Sequence, residues 1–242
     1  TTTTTSDTTA SDTTTTNTDT SNTDTSNNTD TPKDTENNNE DNNIPEELEE
    51  IIEQLPEDYV LPEVVNYNEN IPASQQTLTD GLTPEMHQAY VFAHEYGLTT
   101  TDNALQANMY GELNRAAMAK MLVNYAINVL WKTPDTSKVA PQYWDIDQSL
   151  KDGYDNAFEK AYQLWIMWIN IDNFRPYDTV ERWEFATALS RMLYGLADGQ
   201  WGEEYYKPHL AKLMEEKIIT NDNPYLQELR GYVMIMLMRS AE

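Results

Sequence analysis

The chain has 242 residues, 39% of them hydrophobic, and a formal net charge of −26. So acidic a chain argues against nucleic acid, because little is left to neutralise phosphates, and against an anionic membrane surface. The absence of cysteine excludes disulfides and thiol chemistry, and no apolar run approaches the ~18 residues of a membrane span.

The charge is unevenly placed, −18 over residues 1–80 and −8 over 81–242. Residues 1–43 are almost wholly Thr, Ser, Asp and Asn, with a short repeat running from Asn17-Thr18-Asp19-Thr20-Ser21 into Asn22-Thr23-Asp24-Thr25-Ser26. Nothing there offsets the entropy of ordering, so a disordered low-complexity linker is expected. The chain begins at Thr1 without Met or a signal peptide, which reads as a mature or excised fragment. Residues 44–82 read as an acidic helix, with Leu48, Ile51, Ile52 and Leu55 on one face, followed by an extended connector.

Thr83-Pro84-Glu85 is a helix start, Met86, Ala89, Tyr90 and Ala93 form its inner face, and Gly97 closes it as a left-handed cap. A helix over 115–131 follows, capped by Asn114. The next is expected over 155–168, burying Ala157, Ala161, Leu164, Trp165 and Trp168, with Trp144 also packed. A loop at Phe174–Thr179 then leads to a helix with Phe185, Ala188, Leu189 and Met192 on one face, and Asp178 with Glu181 fits a capping box. Residues 198–202 are a linker. A helix over 208–217 turns Leu210, Leu213 and Met214 inward, and the Met-rich 233–238 reads as core filling. No strand is convincing, so β structure should be limited to short pairings in loops.

One pattern recurs. Tyr, four residues, then Arg occurs at Tyr110/Arg115, Tyr177/Arg182 and Tyr225/Arg230, and in the same register Leu122, Leu189 and Leu237 align. Three diverged repeats are the simplest account. Each Arg falls in the first turn of its helix, where its charge opposes the dipole and does nothing for the helix. The run Phe174-Arg175-Pro176 followed by Val180-Glu181-Arg182-Trp183-Glu184-Phe185-Ala186 resembles the S-layer homology domain, whose signature is a Phe-x-Pro loop and then Thr-Arg-Ala-Glu-Phe. Tyr143-Trp144-Asp145-Ile146 is similar to the opening of that family's repeat. The family's Thr is replaced by Asn114, Glu181 and Leu229, and its Glu is Ala117, Glu184 and Tyr232; only the Arg is kept in all three copies.

The resemblance implies an all-α fold of three helix–loop–helix repeats, at 83–133, 134–198 and 199–242, packed in a pseudo-threefold arrangement with grooves between neighbours. It implies that the chain anchors an exported protein noncovalently to an envelope polysaccharide at the cell surface, with other surface-layer proteins as further partners. The physical case for a glycan site is a guanidinium fork for an anionic group, from Arg115, Arg182 and Arg230, beside aromatic faces from Trp183, Tyr177 and Trp144, with Glu184 as the polar companion. Arg182 is expected to lead, because its copy keeps most of the signature. The alternative is a docking module that binds other surface proteins and no glycan. An enzyme is not expected, nor a cofactor or metal. His87 and His94 are seven apart on one helix, too far to share a metal, and read as exposed; there is no nucleophile elbow or phosphate loop.

Overall fold

The computed structural model describes residues 45–167, 172–195, 202 and 204–242. The Thr-rich tract 1–43, Trp168 and all of the linker 198–202 except Gly202 lie outside them. Among the described residues there are eight α-helices, one 3-10 turn and no strand. The helices are α1 Glu46–Glu53, α2 Pro84–Glu95, α3 Arg115–Asn128, α4 Gln148–Gly153, α5 Ala157–Gln163, α6 Arg182–Tyr194, α7 Lys207–Glu215 and α8 Arg230–Arg239, with the 3-10 turn at Ala73–Gln75. β pairing is confined to isolated bridges in loops.

The caps follow from short polar side chains. Thr83 accepts from the N–H of Met86, Asn114 from that of Ala117 and Asp147 from that of Leu150. Gly97 ends α2 at φ +66°. Three local expectations fail. The helix expected over 155–168 is only the shorter α5, because Asp155 and Asn156 adopt left-handed φ of +53° and +56° before it, a conformation these side chains tolerate, and Trp165 one of +60° after it; α4 lies ahead of the expected range. Trp144 and Trp165 stay out of the core, being 85% and 55% exposed, with the Lys138 ammonium 4.0 Å over the Trp165 ring; Tyr143 takes the core place, edge-on to Phe174 at 5.3 Å. The box at the start of α6 is set three residues later, at Glu181 and Glu184 rather than Asp178 and Glu181, with the Glu181 N–H donating to Glu184 Oε2 at 3.2 Å. Val180 stays extended because a neighbouring loop uses its backbone.

That neighbour belongs to a closed ring. The N–H of Leu113 donates to Glu228 O (2.9 Å), that of Glu228 to Val180 O (2.8 Å), and that of Val180 back to Leu113 O (3.0 Å). The helices that follow are tied to the same loops in the opposite sense. Arg115 and Ala116 donate to the carbonyls of Asp178 and Pro176, Arg182 and Trp183 to Leu226 and Pro224, Arg230 and Gly231 to Gly111 and Met109. The first N–H groups of a helix have no partner within it, and here another loop's carbonyls take them.

Helix partners cross the chain: α3 packs on α5, α6 on α7, and α8 returns to α2. Leu122, Leu189 and Leu237 meet the core as aligned, each with no exposure, and Met234 and Met236 are buried core. Met214 points out because α7 buries the face of His209, Leu210 and Leu213. α1 and the 3-10 turn form a small cluster of Leu48, Ile51 and Ala73 and dock on α2. His94 is exposed, but His87 is not: it is 4% exposed, with the Tyr59 hydroxyl 2.6 Å from Nδ1 and Asp80 Oδ2 3.0 Å from Nε2.

Candidate functional site

The three repeated arginines have three different fates. Arg115 is 5% exposed; its Nε donates to Phe174 O at 2.9 Å and its Nη1 to Glu184 Oε1 at 2.6 Å. Arg182 is 6% exposed and forks onto Glu228, Nε to Oε1 at 2.6 Å and Nη2 to Oε2 at 3.2 Å, with Nη1 on Asn221 O. Glu228 is fully buried, and burial pushes its carboxyl up against the opposing pull of Arg182. Arg230 makes no ion pair among the described residues, and its buried Nε has no hydrogen-bond partner. Ala117 stands where Arg230 would meet a counterpart of Glu184.

Glu184 joins several of these parts. Its Oε2 caps α6, while its Oε1 takes both Arg115 and, at 3.5 Å, Arg175. Arg175 stands at the rim with a left-handed φ of +60°. Asp145 holds it there by accepting from the N–H groups of Phe174 (2.8 Å) and Arg175 (2.6 Å). Trp183 supplies an aromatic wall, with its indole N–H on Glu181 Oε2 at 2.7 Å and its ring edge-on to Tyr205 at 5.9 Å. Arg115, Arg175, Trp183, Glu184 and Tyr205 line a groove of about 100 Å³, with Tyr143 and Arg191 also on its walls. Burial lowers the Arg115 pKa; Glu184 opposes that and the neighbouring Arg175 charge adds to it.

Of the residues singled out in the sequence, Arg115, Trp183 and Glu184 therefore share one groove. Arg182 lines a second, of about 320 Å³, with Arg239 and Glu85. Arg230 lines neither, and Tyr177 and Trp144, 70% and 85% exposed, stand outside both. Sequence reasoning missed Arg175, Arg191, Arg239 and Tyr205. A signal existed for two of them, since Arg191 and Arg239 each follow the repeated Arg by nine residues. Among the described residues no cluster of His, Asp or Glu could hold a metal ion. No helix among them is long and apolar enough to cross a membrane. Compared with known proteins, the chain matches no family model and no curated protein.

Proposed function

We propose that the chain is a noncatalytic anchoring module of three S-layer-homology-like repeats in a pseudo-threefold arrangement. In this reading it attaches an exported protein to an extracellular envelope polysaccharide, and residues 1–43 serve as a spacer. The repeat reading is supported by the loop hydrogen bonds, in which each Arg loop makes the same set of bonds to the next. The observation that carries the function is the groove where Arg115 and Arg175 converge on one Glu184 oxygen beside Trp183. The two guanidinium forks share Glu184, and the further carboxylate of Arg175, Asp178 at 3.5 Å, is exposed; this favours an added anionic group, and the indole offers a face for a sugar ring.

Arg182 is less suited than Arg115, because all three of its guanidinium nitrogens are engaged, two by the fully buried Glu228 and one by Asn221 O, against two in Arg115. The docking alternative draws on the exposed Trp144, Tyr177 and Tyr225, which lie outside the groove. Sedimentation with cell-wall sacculi, with and without their polysaccharide, separates the two. Arg175→Asn, which tolerates the left-handed backbone, and Trp183→Ala should lower wall binding at least about tenfold, the equivalent of roughly 1.4 kcal/mol, with helical circular dichroism unchanged. If both variants bind walls as the parent does, the glycan reading fails and the docking reading replaces it.

A further inference from the structure

The groove at Arg115 has a counterpart. Arg182 and Arg239 stand in the second groove where Arg115 and Arg191 stand in the first, with Tyr232 in the place of Glu184. The second is the roomier, about 320 Å³ against about 100 Å³, so space does not disqualify it. Charge distinguishes them. In the second groove each arginine has a carboxylate of its own: Glu228 for Arg182, and Glu85 for Arg239, whose Nε and Nη2 donate to Glu85 Oε1 at 2.8 and 2.5 Å. In the first, Arg115 and Arg175 share Glu184; Arg175 also meets Asp178 at 3.5 Å, but that carboxylate is 55% exposed and lies outside the groove lining.

Glu85 does not come from an Arg loop. It stands in the first turn of α2, behind the Thr83 cap, where the helix dipole favours a carboxylate, and its side chain is 14% exposed. Secondary structure therefore fixes its place. An incoming anion would meet its repulsion and would have to strip two charge-assisted bonds from it, leaving a carboxylate partly buried and unpaired.

We infer that Glu85 is a resident anion that closes the second groove to anionic ligands, so that of these two grooves only the one at Arg115 takes an anionic sugar. The inference rests on the glycan reading only for the first groove. The test uses glucuronic acid as the probe, glucose as the neutral control, and the arginine Nε–H signals of the full chain by NMR. In the parent, glucuronate should shift Arg115 and leave Arg239 unmoved. In Glu85→Ala, Arg239 should shift saturably, with an apparent affinity within about tenfold of the first groove, and glucose should leave it unmoved. Glu85→Gln keeps the side-chain shape without the charge and is read in the same way if the Ala variant does not fold. Arg239 titrating in the parent, or staying unmoved in the folded variant, overturns the inference. An unmoved Arg115 in the parent counts against the glycan reading, while Arg239 still decides the role of Glu85.

Discussion

A buried ionisable side chain is stable only in the protonation state its surroundings allow, and two histidines here are held neutral. His209 has no exposure and lies 3.2 Å by Nδ1 from Ser190 Oγ; burial and then the Arg191 charge lower its pKa. His87 is lowered by burial, although Asp80 pulls the other way. In the unfolded chain both titrate near the ordinary value of about 6.5. Their contribution to stability is thus fully present above about pH 6.5. It falls as the pH drops through that value toward the lower folded pKa, because only the unfolded chain takes up the proton. The melting temperature should be flat from pH 8 to 7 and fall below about 6.5, and His209→Gln should reduce that slope. An unaltered slope in the variant would mean that His209 accepts a proton in the fold. The Arg182–Glu228 pair is the other buried commitment. Glu228→Ala leaves a buried guanidinium without its carboxylate and should cost about 3–5 kcal/mol in urea unfolding. A loss under ~1 kcal/mol would show that water reaches Arg182 readily.

At the scale of the element, helix starts are decided by what approaches them. Gly231 lies in the first turn of α8, where propensity alone favours alanine by up to about 1 kcal/mol. A β-carbon there would stand 2.9 Å from Met109 O and 3.0 Å from Met109 Cβ. That carbonyl also accepts the Gly231 N–H at 2.7 Å, so it cannot retreat without loosening the tie between the loops. Sterics should win, and Gly231→Ala should destabilise by roughly 1–3 kcal/mol in chemical denaturation. A stabilised variant would mean that propensity decides and that the loop is free to move. The equivalent positions in α3 and α6 hold Ala116 and Trp183, so the close approach is particular to α8.

Across the described residues, helix pairs link segment 83–133 to 134–198, 134–198 to 199–242, and 199–242 back to 83–133, a circle that none of the three segments closes alone. The segment 134–198 carries α4, α5 and α6, yet α5 packs on α3, α6 packs on α7, and the carbonyls that receive the first N–H groups of α6 belong to Leu226 and Pro224. Expressed alone, 134–198 should show no cooperative thermal transition by circular dichroism, whereas 45–242 should show one. A cooperative melt of the isolated segment would mean that local helix pairing, and not the circle, holds the fold.

Local chemistry was enough to determine most of the helices, though not the short α4 or the bounds of α5, together with the caps at Thr83 and Asn114, the left-handed stop at Gly97 and the aligned core leucines, because each depends on neighbours three or four residues away. The same pattern placed Arg115, Trp183 and Glu184 among the candidate residues. What each arginine does was decided by the tertiary structure. Whether a guanidinium meets Glu184 or Glu228, or like that of Arg230 makes no ion pair among the described residues, depends on residues 46 to 69 positions distant or on a different loop, and the one-dimensional repeat treats all three alike. The exposure of Trp144, the burial of His87 under Tyr59 and the presence of Glu85 in the second groove have the same origin. These are long-range contacts: Tyr59 reaches His87 across 28 residues, and α2 laid on α8 brings Glu85 to Arg239 across 154.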